Sequence, residues 1–334
     1  MSDMRPFLVS IVSLGVLLTP AACPQAAGKS GQGATFGISV TDVQVDPEVV
    51  DGHVQVEGLT KADFVIFDEG VPQPITYFGH ESVPLDLVLL LDMSGSVQKY
   101  LQRIADIAAS ALGRLQAQDQ VAVMLFGRNT WIERAFTNDH DEIAAALDMK
   151  SAREAPVGSG TRIYAGVQAA ARYLSSRDVE PLRRRAILIV TDNDGVSYDV
   201  HKDDAVRALY AAKTGLDAIV VGRHPHPPVS KGGAPVNPDF AFDDVFALAD
   251  ETGSQAIATS KPAEKLGEML TRIRNRYFLV YRLPADASPG SYRHIRVDLS
   301  ETARKRYPHA AVRSRGGYYV NREEPKRSDE PQPH

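Results

Sequence analysis

Hydrophobic positions follow two rhythms along the chain. Through its middle, Leu87-Val88-Leu89-Leu90-Leu91, Val121 to Phe126, Ala186 to Val190 and Ala218 to Val221 are unbroken apolar runs of strand length. Such runs are expected of strands buried on both faces of a parallel sheet. Between them the spacing turns helical: Leu101, Ile104, Ala108, Ala111 and Leu115 share one helix face, as do Ile163, Val167, Ala170 and Leu174. Further helices are predicted over 200–213 and 242–252, the second closed by Gly253 as a C-cap. Pro262 stands early in a last helix carrying Leu266, Met269, Leu270 and Ile273. Trp131 to Phe136 reads as a strand returning beside 121–126. Strands alternating with helices predict an α/β fold with a doubly wound, mainly parallel sheet over residues 85–275.

On either side the rhythm is that of β structure. Residues 36–80 hold short alternating runs, among them Ile38, Val40 and Val43, and Val54 and Val56 after the Asp51-Gly52 turn signal. Phe64-Val65-Ile66-Phe67 and Ile75-Thr76-Tyr77-Phe78, with Asp68-Glu69-Gly70 between them, predict a hairpin. Pro84 marks the boundary with the α/β region. After it, Phe278 to Tyr281, Tyr292 to Leu299 and Ala310 to Arg313 are strand-like, with a turn at Pro289-Gly290. The simplest architecture joins the strands of 276–320 to the N-terminal module in a flanking, sandwich-like β unit, with the α/β domain inserted between them. Two separate β appendages are the plainer alternative.

Composition adds limits. At 334 residues the chain has room for a large domain and a smaller one. A formal net charge of -5 leaves no basic footprint for nucleic acid. A single cysteine excludes an internal disulfide and a thiolate metal cluster. That cysteine follows Arg5, a largely apolar run from Phe7 to Leu18, and Ala21-Ala22, so residues 1–22 are expected to be an export signal. The segment resembles a bacterial lipoprotein signal in which Cys23 becomes acylated, although Pro20 stands where such signals usually carry Leu. Ordinary signal-peptidase cleavage nearby is the alternative. Residues 23–35 read as a linker and 321–334 as a disordered, charged tail. The expected location is therefore the periplasm, cell envelope or exterior, with membrane contact only through a lipid at Cys23.

The first buried strand ends in Asp92-Met93-Ser94-Gly95-Ser96. In open α/β sheets ligands sit beyond the carboxyl ends of the strands. Short oxygen-bearing side chains at alternate positions can converge there on one hard cation. Taken alone, the same residues read equally well as helix N-caps. Gly158-Ser159-Gly160-Thr161 opens a later helix, and Thr191-Asp192 ends another fully apolar strand. In this order and on these elements, Asp92, Ser94, Ser96, Thr161 and Asp192 resemble the metal-ion-dependent adhesion site of von Willebrand factor type A domains, over about residues 85–275. The resemblance implies that Ser94 and Ser96 coordinate Mg²⁺ directly, Thr161 directly or through water, and Asp92 and Asp192 mainly through water. Neutral hydroxyls leave the ion's charge poorly compensated, so an Asp or Glu of a protein partner can complete its shell. Where the family usually follows the last aspartate with glycine, this chain has Asn193-Asp194-Gly195. Asn tolerates left-handed backbone, and Asp194 adds a charge that would favour Ca²⁺ or Mn²⁺ if it lies near the metal.

The flanks are similar to those of a group of exported bacterial proteins with this domain: Gly58 to Phe64, Phe67 to Gln73, Arg276 to Tyr281, His294 to Val297 and Arg315 to Tyr319. The resemblance then spans about 36–320. The expectation is a metal-dependent protein-binding module of adhesion or scaffold type, not an enzyme. A purely structural envelope protein is one alternative. A hydrolase using Ser94 and His201 is another, disfavoured because no G-x-S-x-G surrounds the serine. His224 and His226, in the 223–240 loop, are expected to be exposed in a loop that shapes partner choice. Arg183-Arg184-Arg185 is expected to be a solvated turn, and Tyr318-Tyr319 to pack at a strand end.

Overall fold

The computed structural model describes residues 42–148, 154–177, 182–222 and 242–320. The expected signal 1–22, Cys23, the linker 23–35, the 223–240 loop with His224 and His226, and the tail 321–334 lie outside the described residues. Among the described residues, no helix is long and apolar enough to cross a membrane.

The chain begins with β1 (Asp42–Val45), β2 (Glu48–Asp51), β3 (Val54–Gln55), a 3₁₀ turn at Lys61–Asp63, β4 (Phe64–Asp68), β5 (Val71–Gln73) and β6 (Ile75–Gly79). The large domain follows as β7 (Leu85–Asp92), α1 (Gly95–Leu112), β8 (Gln120–Phe126), β9 (Thr130–Thr137), α2 (His140–Leu147), α3 (Ile163–Ser175), β10 (Arg184–Thr191), α4 (Lys202–Ala211), β11 (Leu216–Val221), α5 (Val245–Glu251), β12 (Ala256–Thr259) and α6 (Pro262–Arg274). The chain then returns through β13 (Phe278–Arg282), β14 (Tyr292–Leu299), α7 (Glu301–Arg306), β15 (Ala311–Arg313) and β16 (Gly317–Tyr319).

The central sheet runs β12-β11-β10-β7-β8-β9, parallel except for β9. Its middle strand explains the unbroken apolar run. Leu87, Leu89 and Leu91 pack with α1 and α6 residues such as Leu101, Ile104 and Met269. Val88 and Leu90 point the other way, onto Val167 and Ala170 of α3 and Leu209 of α4. Side chains alternate across a strand, so a strand covered on both faces must be apolar at every position. Each such side chain contributes about 1.5–3 kcal/mol relative to exposure.

The flanking strands form small antiparallel sheets around one further core. β13 lies between β1 and β6, β14 pairs with β4 and β16, and β15 pairs with β2. N- and C-terminal segments thus share one module, with the α/β domain inserted between the adjacent strands β6 and β13. Buried Asp68 fixes its centre, accepting hydrogen bonds from Tyr281 (2.7 Å), Tyr318 (2.8 Å) and Arg293 Nε (2.7 Å). Tyr318 therefore packs in this core, while the Tyr319 ring lies under the Arg207 guanidinium.

Two expectations need correction. The hairpin partner of β4 is β5, not 75–78: Asp68 pairs with Val71 across a tight Glu69-Gly70 turn with positive φ at both residues. Pro74 has no N–H to continue a ladder, and β6 goes instead to β13. Nor is Arg183-Arg184-Arg185 a solvated turn. Arg183 Nε bonds Asp86 at 2.7 Å, and fully buried Arg184 donates to the carbonyls of Ile273, Arg274 and Arg276. The end of α6 leaves carbonyls without intrahelical partners, and a guanidinium supplies several donors at once.

Candidate metal site

The site lies at the carboxyl edge of the sheet, where adjacent β7 and β10 end in Asp92 and Thr191. Asp92 is fully buried. Its Oδ1 accepts the Ser94 backbone N–H at 2.9 Å and its Oδ2 accepts the Thr191 hydroxyl at 2.6 Å. Burial, reinforced by the nearby Asp192 charge, pushes its pKa up to about 6 against these hydrogen bonds. Ser94 occupies the N-cap of α1 but makes no capping bond; its hydroxyl lies 3.2 Å from that of Ser96. Ser96 in turn donates to Asp192 Oδ2 at 2.5 Å. The capping reading of this loop thus fails at Ser94, whose oxygen faces the other candidate ligands.

Thr161 comes from a loop stitched between neighbouring elements. Arg162 N–H donates to the Gly127 carbonyl at the end of β8 (3.1 Å), and Val196 N–H donates to the Thr161 carbonyl (2.9 Å). The loop carries positive φ at Gly158 and Gly160. A Cβ on Gly127 would come within 2.7 Å of the Gly158 carbonyl, so the close approach requires glycine there. The N-cap of α3 is Arg162, not Thr161, and the Thr161 hydroxyl has no hydrogen-bond partner among the described residues. Asp92, Ser94, Ser96 and Asp192 are therefore linked directly. Thr161 is tied to them through backbone.

Asn193 adopts left-handed φ of 61°, so the turn after Asp192 survives without glycine. Its buried side chain accepts Val245 N–H at 2.9 Å and so holds the start of α5 against the candidate site. Asp194 is exposed, its N–H donating to Asp192 Oδ1 at 3.2 Å. Two positioning residues escaped sequence reasoning. Thr191 orients the Asp92 carboxylate, and Asp243 accepts the Ser197 hydroxyl (2.7 Å) and Tyr164 N–H (3.2 Å), fastening the loop after β10 to α3. Thr191 was visible beside Asp192; Asp243 carried no local signal, because its partners are distant in sequence.

Among the described residues, no Lys or Arg pairs with Asp92 or Asp192. Arg162, beside Thr161, is taken by Asp199. Nor does any cluster of three His, Cys, Asp or Glu side chains occur among the described residues. A cation here would rest on hydroxyls plus two carboxylates, an all-oxygen set suited to Mg²⁺, Mn²⁺ or Ca²⁺. The donors fit that chemistry: uncapped Ser94, free Thr161 and two carboxylates without a countercharge. Ser94 does not meet His201, whose backbone N–H instead starts α4 on Asp204 (3.0 Å).

Residues 87–195 match the sequence model of the von Willebrand factor type A domain. A search of curated proteins gave no match. Among solved structures, the chain is similar to an aerotolerance-related membrane protein from Bacteroides fragilis (17% identity, 57% of this chain and 98% of that one, TM-score 0.43). It is also similar to a von Willebrand factor type A protein from Catenulispora acidiphila (11%, 78% and 72%, TM-score 0.43). A third is proximal thread matrix protein 1 of the mussel byssus, described with a zinc-occupied MIDAS motif (12%, 62% and 49%, TM-score 0.44). Residues 87–195, on the central sheet, thus carry a likeness to the von Willebrand factor type A domain.

Proposed function

We propose that this edge of the sheet holds a divalent cation and uses it to bind a protein partner. Ser94 and Ser96 would ligate the ion, Thr161 directly or through water, and Asp92 and Asp192 mainly through water. Mg²⁺ is the preferred ion, with Mn²⁺ and Ca²⁺ as alternatives. When bound, the ion accepts an Asp or Glu carboxylate from the partner. The observation that carries the reading is that Asp92 and Asp192 come together with no cationic side chain paired to either among the described residues. Like charges held together are costly unless a positive charge joins them.

The surroundings support a protein ligand. Trp131 (45% exposed), Ile132 (42%), Tyr198 (65%) and Phe242 (40%) lie on loops or strand ends at this pole. Aromatic side chains are enriched in protein interfaces. Gly195, just before Tyr198, is closely packed: a Cβ there would meet Ile163 at 2.9 Å. The site is proposed to be non-enzymatic, and the protein to be exported and anchored by lipid at Cys23. Palmitate labelling that persists in Cys23→Ala would rule out the anchor.

Calorimetric titration of Mg²⁺ and Mn²⁺ into wild type and Ser96→Ala tests the site. Saturable heat in wild type and its loss in the variant are expected; identical isotherms would overturn the reading. Hydrolysis of a generic ester that disappears in Ser94→Ala would instead point to an enzyme.

A further inference from the structure

At the opposite, amino edge of the sheet, cationic side chains outnumber their partners around a small cavity. We propose that this cavity, where Arg184, Arg185, Lys213, Arg276 and Arg315 face Asp46, binds a small oxyanion of the phosphate or sulfate class.

The cavity lies between the start of β10, the α4–β11 turn, and the C-terminal strands of the β module. Asp46 is the only carboxylate lining it. Arg276 is matched by Asp217, at 2.5 Å. That leaves Arg184, Arg185, Lys213 and Arg315 with Asp46. Asp46 is 3.9 Å from Arg184 Nε, the long end of an ion pair. Asp86, the carboxylate that acts on Arg185, already serves Arg177 and Arg183. Among the described residues, neither Lys213 nor Arg315 makes an ion pair within 4.0 Å. Arg315 donates only to the carbonyls of Tyr210 (3.4 Å) and Gln44.

Among the described residues, Arg184 Nε and Arg276 Nε, on side chains 1% and 5% exposed, line the cavity without a hydrogen-bond partner, and so does Asp46 Oδ1. Burial lowers the pKa of Lys213, the Arg315 and Arg185 charges lower it further, and the Asp42 charge opposes them. Arg315 is lowered by burial as well. Uncompensated buried cations are costly, and a bound anion would offset them. The space is about 20 Å³, against the roughly 10–15 Å³ that one water needs. It adjoins a second cavity of about 40 Å³ that Lys213 and Arg315 also line. Half-buried Arg185 and Lys213 stand on the solvent side. An anion seated there would bridge the α/β domain, through Arg184 and Lys213, and the β module, through Arg315, with Asp46 as the one opposing charge in the lining.

The test uses the purified protein in EDTA, which keeps divalent ions from the other pole. Inorganic phosphate and, separately, sulfate are titrated while binding heat and thermal unfolding are followed, with chloride at matched ionic strength as reference. We expect saturable heat and a rising Tm for wild type. Losing one charge-assisted contact in Lys213→Gln or Arg185→Gln should weaken the apparent Kd by about tenfold or more. Arg313→Gln, half-buried and outside the lining of this cavity, should bind as wild type does. Absence of saturable heat in wild type, as for a cavity holding water alone, overturns the proposal. So does equal weakening in Arg313→Gln and Lys213→Gln.

Discussion

At the amino edge of the central sheet, Asp86, Asp119 and Asp217 each meet arginine; at the carboxyl edge, Asp92 and Asp192 meet hydroxyls and amides. Asp86 is 2.7 Å from Arg183, Asp119 is 3.0 Å from Arg274, and Asp217 is 2.5 Å from Arg276. All are buried. Burial opposes the charge on Arg276, yet Asp217 and Glu48 outweigh it and hold its pKa above the ordinary value. Burial raises the pKa of both Asp217 and Asp92, but only Asp217 has an arginine charge opposing that rise. For its carboxylates, one edge is closed electrostatically by the chain itself and joins the two modules. The other is left incomplete, which is what a site for an exchangeable cation requires. Burial alone therefore does not mark function; what matters is whether the buried charge has its partner.

The sharpest way to break this comparison is to remove a partner at the closed edge. Asp217→Ala leaves Arg276 buried and unpaired, and should cost about 3–5 kcal/mol in denaturant unfolding. A loss below 1 kcal/mol would mean that the closed edge is less closed than it looks. Supplying the missing charge at the open edge comes next. Mg²⁺ at 100 times its Kd should stabilise wild type by about 2.7 kcal/mol. Ser96→Ala should gain almost nothing and still unfold cooperatively without metal.

Acidity probes the same difference. A carboxylate whose folded pKa is above its unfolded value binds protons more tightly when folded. In EDTA, Asp92 should therefore add stability below about pH 4, and that gain should vanish as pH rises through about 6. The change should be on the order of 2 kcal/mol, and Asp92→Asn should flatten it in unfolding curves taken from pH 4 to 7. The smallest effect belongs to Asn193→Gly. Glycine tolerates the left-handed turn but loses the bond to Val245, so stability should fall by about 1 kcal/mol while Mg²⁺ affinity stays within about threefold. A large loss of affinity would show that Asn193 acts on the site itself.

Much of this was legible in the chain, because local rules governed it. The apolar runs gave the buried strands, since a strand covered on both faces has no polar position. Residues 200–213 and 242–252 contain α4 and α5, and Gly253 closes the latter with φ of 65°. Short elements were harder. α2 has a local signal in Asp139, which accepts Asp141 and Glu142 N–H, ahead of Ile143 and Leu147. α7 has one in Ser300, which caps Ala303. Both are too short for helical periodicity to stand out. The β4 partner was misjudged because 71–73 and 75–79 are each plausible strands, and only competition with β13 separates them.

The sequence by itself determined the strand and helix rhythm, the left-handed turn that Asn193 can adopt, and the order of Asp92, Ser94, Ser96, Thr161 and Asp192. These depend on properties each residue carries alone: apolarity, side-chain length, backbone freedom. Tertiary structure decided which charges are paired. Arg184 finds carbonyls about ninety residues away, Asp68 gathers Tyr281, Tyr318 and Arg293 from the far end of the chain, and Asp92 and Asp192 finish with no cationic partner among the described residues. A charge's environment is a property of everything folded around it, and no window of sequence contains that.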